Sequence, residues 1–312
     1  GREFMEETAI LRELASIVGN DRVRTQEPMS RHTSFRIGGP AEIFVEPTVA
    51  QVGRVIARCK EGEIPCTVIG NGSNLLVGDG GIPGVVICLG EQASGISVFR
   101  EELFAEAGAL LSKMAAEAQR AGLTGLEFAA GIPGSLGGAI IMNAGAYGGE
   151  MADVVREVQV LTADGDIEIW GRDDMEFGYR SSRAMKEGAI VLSAFFDLKE
   201  GDPGQIRQRM NELAERRREK QPLEYPSAGS TFKRPEGHFA GKLIMEAGLG
   251  GYRVGDAQVS EKHCGFVINR GNATASQVRQ LMEDVIRQVQ KTSGVTLEPE
   301  VRMVGIFSAE KE

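Results

Sequence analysis

The chain has 312 residues, of which 42% are hydrophobic, so it can bury a sizeable core without disulfide or metal cross-links. Its net charge of −9, from 44 acidic and 35 basic residues, argues against a nucleic-acid-binding or anionic-membrane-binding surface. No apolar run approaches the ~20 residues of a membrane span and no signal-peptide pattern is present, so we expect a cytoplasmic protein with reduced cysteines.

The N-terminal part of the chain is predicted to begin with a helix, a second helix and a strand. Apolar residues at helical spacing predict the first helix over residues 6–18. Thr48 and Gln51 form a capping box, which predicts a second helix after Pro47. The apolar residues that follow predict a short buried strand at 66–69.

The middle of the chain is predicted to be mostly strands. Strands are expected at 85–89, 103–107 and 190–198, with a helix at 112–121. Alternating apolar residues on both sides of Asp164-Gly165 predict a β-hairpin.

The C-terminal part is predicted to hold a separate domain after a long helix. Asp202-Pro203 is a helix start, and Pro222 marks the end of that helix and a domain boundary. Beyond it, helices are expected at 239–247 and 274–292, and strands at 257–259, 265–269 and 301–307. Hairpins mixed with separate helices favour an α+β fold.

Two glycine-rich segments are the strongest local signals for function. The first is Gly70–Val77, directly after a predicted strand, and the second is Gly131–Gly138, followed by Asn143–Gly148. Turns without side chains allow backbone N–H groups to converge on an anion such as a pyrophosphate. Each segment alone is better explained as a tight turn between strands. The two together favour nucleotide binding.

Neither segment has the pattern of a common nucleotide-binding motif. The P-loop Gly-x-x-x-x-Gly-Lys-Ser/Thr is missing, and so is a Gly-x-Gly-x-x-Gly that opens a helix in a Rossmann fold. The histidines and cysteines are scattered without His-Glu-x-x-His or Cys-x-x-Cys spacing, so we expect no metal site.

Further motifs appear in order with the two glycine-rich segments, at 31–39, 178–182, 226–233 and 297–302. Together these segments resemble the UDP-N-acetylenolpyruvoylglucosamine reductase (MurB) family over nearly the whole chain. The short interval between Arg180 and Ser230 is similar to the shorter, second type of this family, which lacks the tyrosine loop.

The resemblance implies an α+β fold with two parts. The first is an FAD-binding domain of the vanillyl-alcohol-oxidase type, made of two α+β subdomains, at 5–70 (completed by 301–312) and 71–222. The second is a MurB-type α+β substrate domain at 223–300. We also expect a monomer.

The resemblance implies that FAD binds noncovalently, with NADPH as co-substrate. The implied FAD-binding residues are Arg36, Gly70, Asn71, Gly72, Ser73, Asn74, Leu75, Gly131, Pro133, Gly134, Ser135, Gly137, Gly138, Asn143, Ala144, Gly145 and Ile190.

The resemblance also implies a reaction: NADPH reduces FAD, and hydride then passes to the enolpyruvyl group of UDP-N-acetylglucosamine enolpyruvate, giving UDP-N-acetylmuramate. Arg180 corresponds to the residue that stabilises the dianionic intermediate, Glu300 to the catalytic glutamate and Ser230 to the proton donor. Without the resemblance, Arg180 reads as a surface arginine, Ser230 as a turn serine and Glu300 as a loop glutamate, and Glu298 has the same alternation as Glu300.

Tyr179, Arg217 and Lys233 are further candidates for contacts to the substrate. A packed tyrosine and a helix-end arginine explain the first two equally well.

Two other functions stay open at this point. An FAD-dependent oxidase would share the flavin domain, and a nucleotide-sugar-binding protein would share the glycine-rich segments without needing Arg180, Ser230 and Glu300.

Overall fold

The computed structural model describes residues 2–307. The helices of this part of the chain are α1 (Arg2–Val18), α2 (Val52–Glu61), α3 (Leu111–Arg120), α4 (Leu136–Ile141), α5 (Arg183–Glu187), α6 (Pro203–Lys220), α7 (Ala240–Glu246) and α8 (Ala275–Ser293).

The strands are numbered in the same way. They are β1 (Val23–Pro28), β2 (Pro40–Val45), β3 (Cys66–Ile69), β4 (Leu75–Val77), β5 (Ile82–Cys88), β6 (Ile96–Phe99), β7 (Glu102–Glu106), β8 (Leu123–Thr124), β9 (Gly145–Ala146), β10 (Gly149–Glu150), β11 (Val155–Leu161), β12 (Ile167–Gly171), β13 (Ile190–Asp197), β14 (Lys199–Glu200), β15 (Ser227–Ser230), β16 (Arg253–Val254), β17 (Ala257–Val259), β18 (Phe266–Asn269) and β19 (Arg302–Val304).

The chain folds into two compact units, each built from several stretches of sequence. Unit 1 contains the residues up to Arg24, Ile43–Asn71 and Val85–Arg216. Among the described residues, unit 2 contains Thr25–Glu42, Gly72–Gly84 and residues 217–307. The chain therefore passes from one unit to the other repeatedly. The division into 5–70, 71–222 and 223–300 stays a prediction.

Unit 1 is centred on a five-stranded sheet in the order β12-β11-β13-β7-β6, in which all neighbours are antiparallel. The predicted hairpin is confirmed as β11 and β12, where Val158 lies opposite Trp170. The inward residues of this sheet pack with α3 and α4 into one hydrophobic cluster. A second cluster of unit 1 joins α1 and α2 to Val85 and Ile87 of β5, beside which β3 runs in parallel.

Unit 2 contains the four-stranded antiparallel sheet β15-β18-β17-β16. The buried side of α8, which includes Val278, Leu281, Val285 and Val289, forms one hydrophobic cluster with residues of this sheet. A short parallel pair stands beside it, in which Arg302 of β19 lies opposite Leu75 of β4.

Most of the predicted elements are confirmed, and the differences occur where tertiary contacts dominate. Helix α4 begins inside the segment that the sequence predicts as a glycine-rich turn, and the missing side chain of Gly137 allows its backbone to approach Ala107. The first residue of β3, Cys66, is exposed although a buried strand was expected. Strand β1 has mostly exposed polar residues. It therefore lacks the alternation of apolar and polar residues that would predict a strand from the sequence. The last strand spans only three of the residues expected at 301–307.

No helix of residues 2–307 is long and apolar enough to cross a membrane.

The N-terminus of α8 has the capping box that the sequence predicts. The Thr274 hydroxyl accepts a hydrogen bond from Gln277 N at 3.1 Å, and Gln277 Oε1 accepts one from Thr274 N at 3.1 Å. Thr274→Ala removes the hydroxyl acceptor, so we expect the free energy of unfolding to fall by about 1 kcal/mol. Denaturant unfolding measures this change. Thr292→Ala, at the other end of α8, is the control and should change the free energy less.

Candidate functional site

The two glycine-rich segments meet within unit 1. A Cβ atom on Gly70 would lie 2.6 Å from Ser135 Oγ, so a side chain at this position would displace the Ser135 hydroxyl. Ser135 itself is buried. Two segments that are about 60 residues apart in sequence therefore approach each other where the first has no side chain. This is the arrangement that a shared anion-binding loop needs.

Backbone hydrogen bonds fix the second segment against the loop that follows β7. Gly134 O accepts from Leu111 N at 3.1 Å, and Leu136 N donates to Ala109 O at 2.9 Å. Gly138 lies one turn further, in α4, and apart from its chain neighbours and the backbone of α4 itself no described atom lies within 4 Å of the position of its missing Cβ. Gly138 is also exposed, so it borders open space next to a rigid backbone.

The first segment continues into unit 2 with a turn at Gly72. Its φ is +67°, and a Cβ would lie 2.1 Å from the carbonyl oxygen of His32. Gly72 O also accepts from Ser34 N at 3.1 Å. The close contact with the His32 carbonyl is sufficient to require glycine at position 72. The presence of glycine there therefore does not by itself indicate a bound pyrophosphate.

A buried acid holds the segment that packs on Gly72. Glu27 is 7% exposed, and its Oε1 lies 3.1 Å from His32 Nε2. This contact orients the His32 ring and, with it, the backbone that contacts Gly72. His32 lies in the motif at 31–39. The sequence does not indicate the role of Glu27, because its contact with His32 forms only in the folded chain.

Arg180 lies in a tight turn that is tied at both ends. Gly178 and Ser181 bond to each other's backbone, and Arg180 has a left-handed φ of +49°. The side chain of buried Asn143 donates to Gly178 O at 3.0 Å, and buried Ser182 donates to Ile141 O at 2.7 Å. The turn is thus fixed to the end of α4, and this holds the Arg180 backbone in one conformation.

Asn143 was predicted to contact FAD. In the structure its side-chain amide makes hydrogen bonds to the protein backbone. Besides the bond to Gly178, its Oδ1 accepts from Ala152 N at 2.9 Å. The side chain therefore connects three segments of unit 1. A direct contact of Asn143 to FAD stays a prediction.

Ser230 and Glu300 come together in unit 2. Glu300 N donates to Thr231 O at 2.8 Å, and Lys233 N donates to Glu298 O at 2.8 Å, so 230–233 and 298–301 run side by side. Asn74 Nδ2 donates to Glu300 O at 3.2 Å, which ties the first glycine-rich segment to the same place. The backbone of Glu300 thus bonds to Thr231, the neighbour of Ser230, and to the side chain of Asn74, a predicted FAD-binding residue.

A β-bulge directs the Ser230 side chain outward. Ser227 lies opposite Ile268 and Ser230 opposite Phe266, so three steps on β15 match two on β18. Bulges re-aim side chains and are common beside active sites. Ser230 is exposed, whereas its neighbour Thr231 is buried at 1% and accepts from Val267 N through its hydroxyl at 3.0 Å.

The structure also distinguishes the two glutamates that the sequence left equivalent. Glu298 is largely exposed, and its carboxylate lies 3.8 Å from Lys233 Nζ. Glu300 is half-buried and its backbone is bonded on both sides. Glu298 is therefore explained as the partner of Lys233.

The other predicted contact residues are placed as follows. Tyr179 is 67% exposed. Arg217 donates to Gln221 Oε1 from Nε at 3.3 Å. Arg36 is exposed with a φ of +56°, and Ile190 packs on a hydrophobic cluster of unit 1. Their contacts to cofactor or substrate stay predictions.

Comparison with known proteins decides the family. Residues 40–170 match the model of an FAD binding domain, and residues 221–304 match the C-terminal domain of UDP-N-acetylenolpyruvoylglucosamine reductase. A UDP-N-acetylenolpyruvoylglucosamine reductase of Agathobacter rectalis is 56% identical over 90% of this chain and 93% of that protein. One from Lachnoclostridium phytofermentans is 54% identical over 95% of this chain and 97% of that protein.

The chain belongs to the UDP-N-acetylenolpyruvoylglucosamine reductase family. The crystal structure of MurB from Thermus caldophilus has a TM-score of 0.76 to this fold at 38% identity, and covers 91% of this chain and 99% of that one. The predicted MurB resemblance and the α+β fold with an FAD-binding domain before a MurB C-terminal domain are confirmed. The meeting of Gly70 with Ser135 and the open side of Gly138 fit FAD as the cofactor.

Gly138 offers a direct test of where the cofactor lies. Gly138→Val places a branched side chain in open space next to a fixed backbone, so it should lower FAD content strongly without a clash inside the protein. Gly53→Val is the matched control, because Gly53 also lies in a helix with no described atom within 4 Å of its Cβ position. Flavin absorbance per protein after gel filtration measures the content. Equal flavin content in both variants would exclude a contact at Gly138.

Proposed function

We propose that this chain catalyses the NADPH-dependent reduction of UDP-N-acetylglucosamine enolpyruvate to UDP-N-acetylmuramate. Support comes from the family membership over nearly the whole chain. The observation that supports the proposal is the backbone hydrogen bond that joins Glu300 to Thr231, the neighbour of Ser230, in the domain of the MurB type. A pure binding protein has no need for this arrangement.

When bound, FAD would supply the hydride chemistry that connects NADPH with the methylene carbon of the enolpyruvyl group. The residues of the protein then have two tasks. They must stabilise the negative charge that develops on the substrate carboxylate, and they must deliver a proton to the adjacent carbon.

Arg180 is proposed to stabilise the developing charge. An arginine side chain carries a positive charge and offers a planar pair of donors to a carboxylate. A contact of this kind accelerates the reaction only if it is stronger in the intermediate than in the substrate. The fixed turn that carries Arg180 supports this role, since a preorganised cation needs no rearrangement during the reaction.

Ser230 is proposed to donate the proton, and Glu300 to orient or protonate the carboxylate end of the substrate. A serine hydroxyl is a weak acid, but an enol-like intermediate is a strong carbon base, and a small donor can approach it closely. The outward direction of Ser230 after the bulge supports this assignment. Tyr179, Arg217 and Lys233 are proposed to contact the sugar and phosphate groups.

The product is a precursor of peptidoglycan, so we assign the chain to cell-wall synthesis, with roles in cell shape and division. We further propose that it acts in the cytoplasm as a monomer and that it has neither nucleic-acid nor membrane partners. The net charge of −9 supports the absence of a nucleic-acid surface.

One experiment tests the proposed function against the two alternatives. NADPH oxidation is followed in air with and without UDP-N-acetylglucosamine enolpyruvate, and the product mass is measured. We expect NADPH consumption that depends on the enolpyruvyl compound, with one product molecule per NADPH. Oxygen consumption without this compound would indicate an oxidase, and tight binding without turnover would indicate a nucleotide-sugar-binding protein.

A further inference from the structure

Asn143 holds two other segments of unit 1 with its side-chain amide. Its Nδ2 donates to Gly178 O at 3.0 Å, and its Oδ1 accepts from Ala152 N at 2.9 Å. The residue is 4% exposed and has a left-handed φ of +46°, which asparagine adopts more readily than most residues. An amide presents a donor and an acceptor on separate atoms, so one asparagine can bond to both segments at once.

The turn that carries Arg180 is strained and only partly closed by its own hydrogen bonds. Arg180 has a φ of +49° at the third position of the turn 178–181, where a left-handed residue is usually glycine. Gly178 N donates to Ser181 O at 3.1 Å, but the return bond from Ser181 N to Gly178 O is long, at 3.4 Å. The bond from Asn143 to the same carbonyl is shorter, so the conformation of the turn depends on Asn143.

Helix α4 connects this turn with the second glycine-rich segment. The helix begins inside that segment, where Gly137 N donates to Ala107 O at 2.9 Å. Beyond its other end, Asn143 bonds to the turn, and the Ser182 hydroxyl donates to Ile141 O at 2.7 Å. The helix has six residues and therefore spans about 9 Å. A short helix held at both ends fixes the turn relative to the segment that is expected to bind FAD.

We propose that Asn143 is a positioning residue for Arg180: its amide holds the Gly178 carbonyl so that the guanidinium is in place when negative charge develops on the substrate carboxylate. This inference rests on the function proposed above for Arg180. It differs from the contact to FAD that the sequence predicts for Asn143. A contact to FAD would affect cofactor binding and the reduction of the flavin by NADPH, whereas positioning of Arg180 affects only the step that consumes the enolpyruvyl substrate.

Two variants release the turn in different ways. Asn143→Asp keeps the acceptor for Ala152 N and loses the donor to Gly178 O. Asn143→Gly loses both contacts, introduces no charge and suits the φ of +46°. In both variants, FAD content and bleaching of the flavin by NADPH should stay near wild type. The step that consumes the enolpyruvyl substrate should slow about 10-fold to 100-fold, because a misplacement of about 1 Å can cost about 100-fold in rate.

Hydrogen exchange of the holoprotein measures the turn without any turnover. In both variants the backbone N–H groups of Gly178 and Ser181 should exchange faster than in the wild type, because the turn opens more often. The N–H groups of the paired strands β11 and β13 belong to the same unit and should exchange at the wild-type rate. This reference separates a local release of the turn from a general loss of stability.

A double-mutant cycle tests whether Asn143 acts through Arg180. In the wild-type background, Asn143→Asp should slow the substrate-consuming step as stated above. In the Arg180→Ala background the same substitution should change this step by no more than about twofold, because the guanidinium that Asn143 positions is already absent.

Asn269 provides a matched control at another buried amide. It is 2% exposed, its Nδ2 donates to Phe35 O at 2.9 Å, and its Oδ1 accepts from Gly271 N at 2.9 Å. Asn269→Asp therefore makes the same chemical change to a side chain that also bonds to two backbone groups. It should leave the substrate-consuming step and the exchange of residues 178–181 unchanged.

Four results would overturn the positioning role. Loss of FAD or slower flavin bleaching in the Asn143 variants would assign the residue to the cofactor. Unchanged exchange at 178–181 would show that the turn does not need the amide, and losses that multiply in the double variant would show that Asn143 acts independently of Arg180. A slow Asn143→Asp beside a normal Asn143→Gly would identify the new carboxyl as the cause. Failure of the proposed function is distinct, because the wild type itself would then show no substrate-dependent NADPH oxidation, and the positioning role would fall with it.

Discussion

Arg180→Ala is expected to slow turnover by about 10²–10³-fold, the usual loss when one preorganised contact to a developing negative charge is removed. The loss should fall on the step that consumes the enolpyruvyl substrate. Bleaching of the flavin absorbance by NADPH, measured without that substrate, should stay near the wild-type rate, because no carboxylate dianion forms in it.

The conservative variant separates charge from geometry. Arg180→Lys keeps a cation but loses the planar pair of donors, so it should recover only part of the lost rate. Both variants keep a non-glycine residue at a φ of +49°, so the backbone strain of the turn is the same in each.

Arg100 provides a matched control for Arg180. It is an exposed arginine of the same unit with a φ of +53°, and it stacks on Phe99. Arg100→Ala removes an arginine from an equally strained turn, yet it should leave both half-reactions unchanged. If Arg180→Ala slowed flavin bleaching and substrate consumption equally, its role would be to maintain structure, and the assignment of Arg180 to charge stabilisation would be wrong.

The sequence predicts those parts of this fold that neighbouring residues determine. The capping boxes of Thr48 with Gln51 and of Thr274 with Gln277 are both present, because each partner is three residues from the other. The hairpin at Asp164-Gly165 is also present, because its turn and its alternating strands are local.

Other features depend on contacts that no local pattern contains. Helix α4 forms within a glycine-rich stretch because Gly137 packs against Ala107, 30 positions earlier. The turn of Arg180 is held by Asn143, and the backbones of Ser230 and Glu300 are joined through Thr231. These supporting residues are buried polar groups, and their partners are distant in sequence. The motifs therefore include Asn143 and Thr231, but they do not indicate that these two residues hold the candidate catalytic residues.

Ser230→Ala is expected to reduce turnover by at least the ~10²–10⁴-fold that is typical for the loss of a general acid. FAD content and flavin bleaching by NADPH should stay near wild type, since Ser230 is exposed and its hydroxyl is not needed for either. The backbone at this point should be unaffected, because the bonds to Glu300 and Val267 are made by Thr231.

Two further variants test whether the hydroxyl itself is required. Ser230→Cys retains a group that can donate a proton, so it should keep more activity than Ser230→Ala. Ser227→Ala is the matched control on the same strand. Its hydroxyl accepts a 3.3 Å hydrogen bond from Gly229 N, and turnover should change little.

Product formed in deuterium oxide shows where the proton is delivered. Wild-type protein should place solvent deuterium on the carbon next to the ether oxygen, on a single face, because the donor is held on one side of the substrate by the bulge of β15. If residual turnover in Ser230→Ala gives deuterium on both faces, water has replaced the missing hydroxyl. If Ser230→Ala turns over at the wild-type rate with unchanged stereochemistry, the proton comes from Glu300 or from a fixed water, and the roles proposed for both residues are wrong.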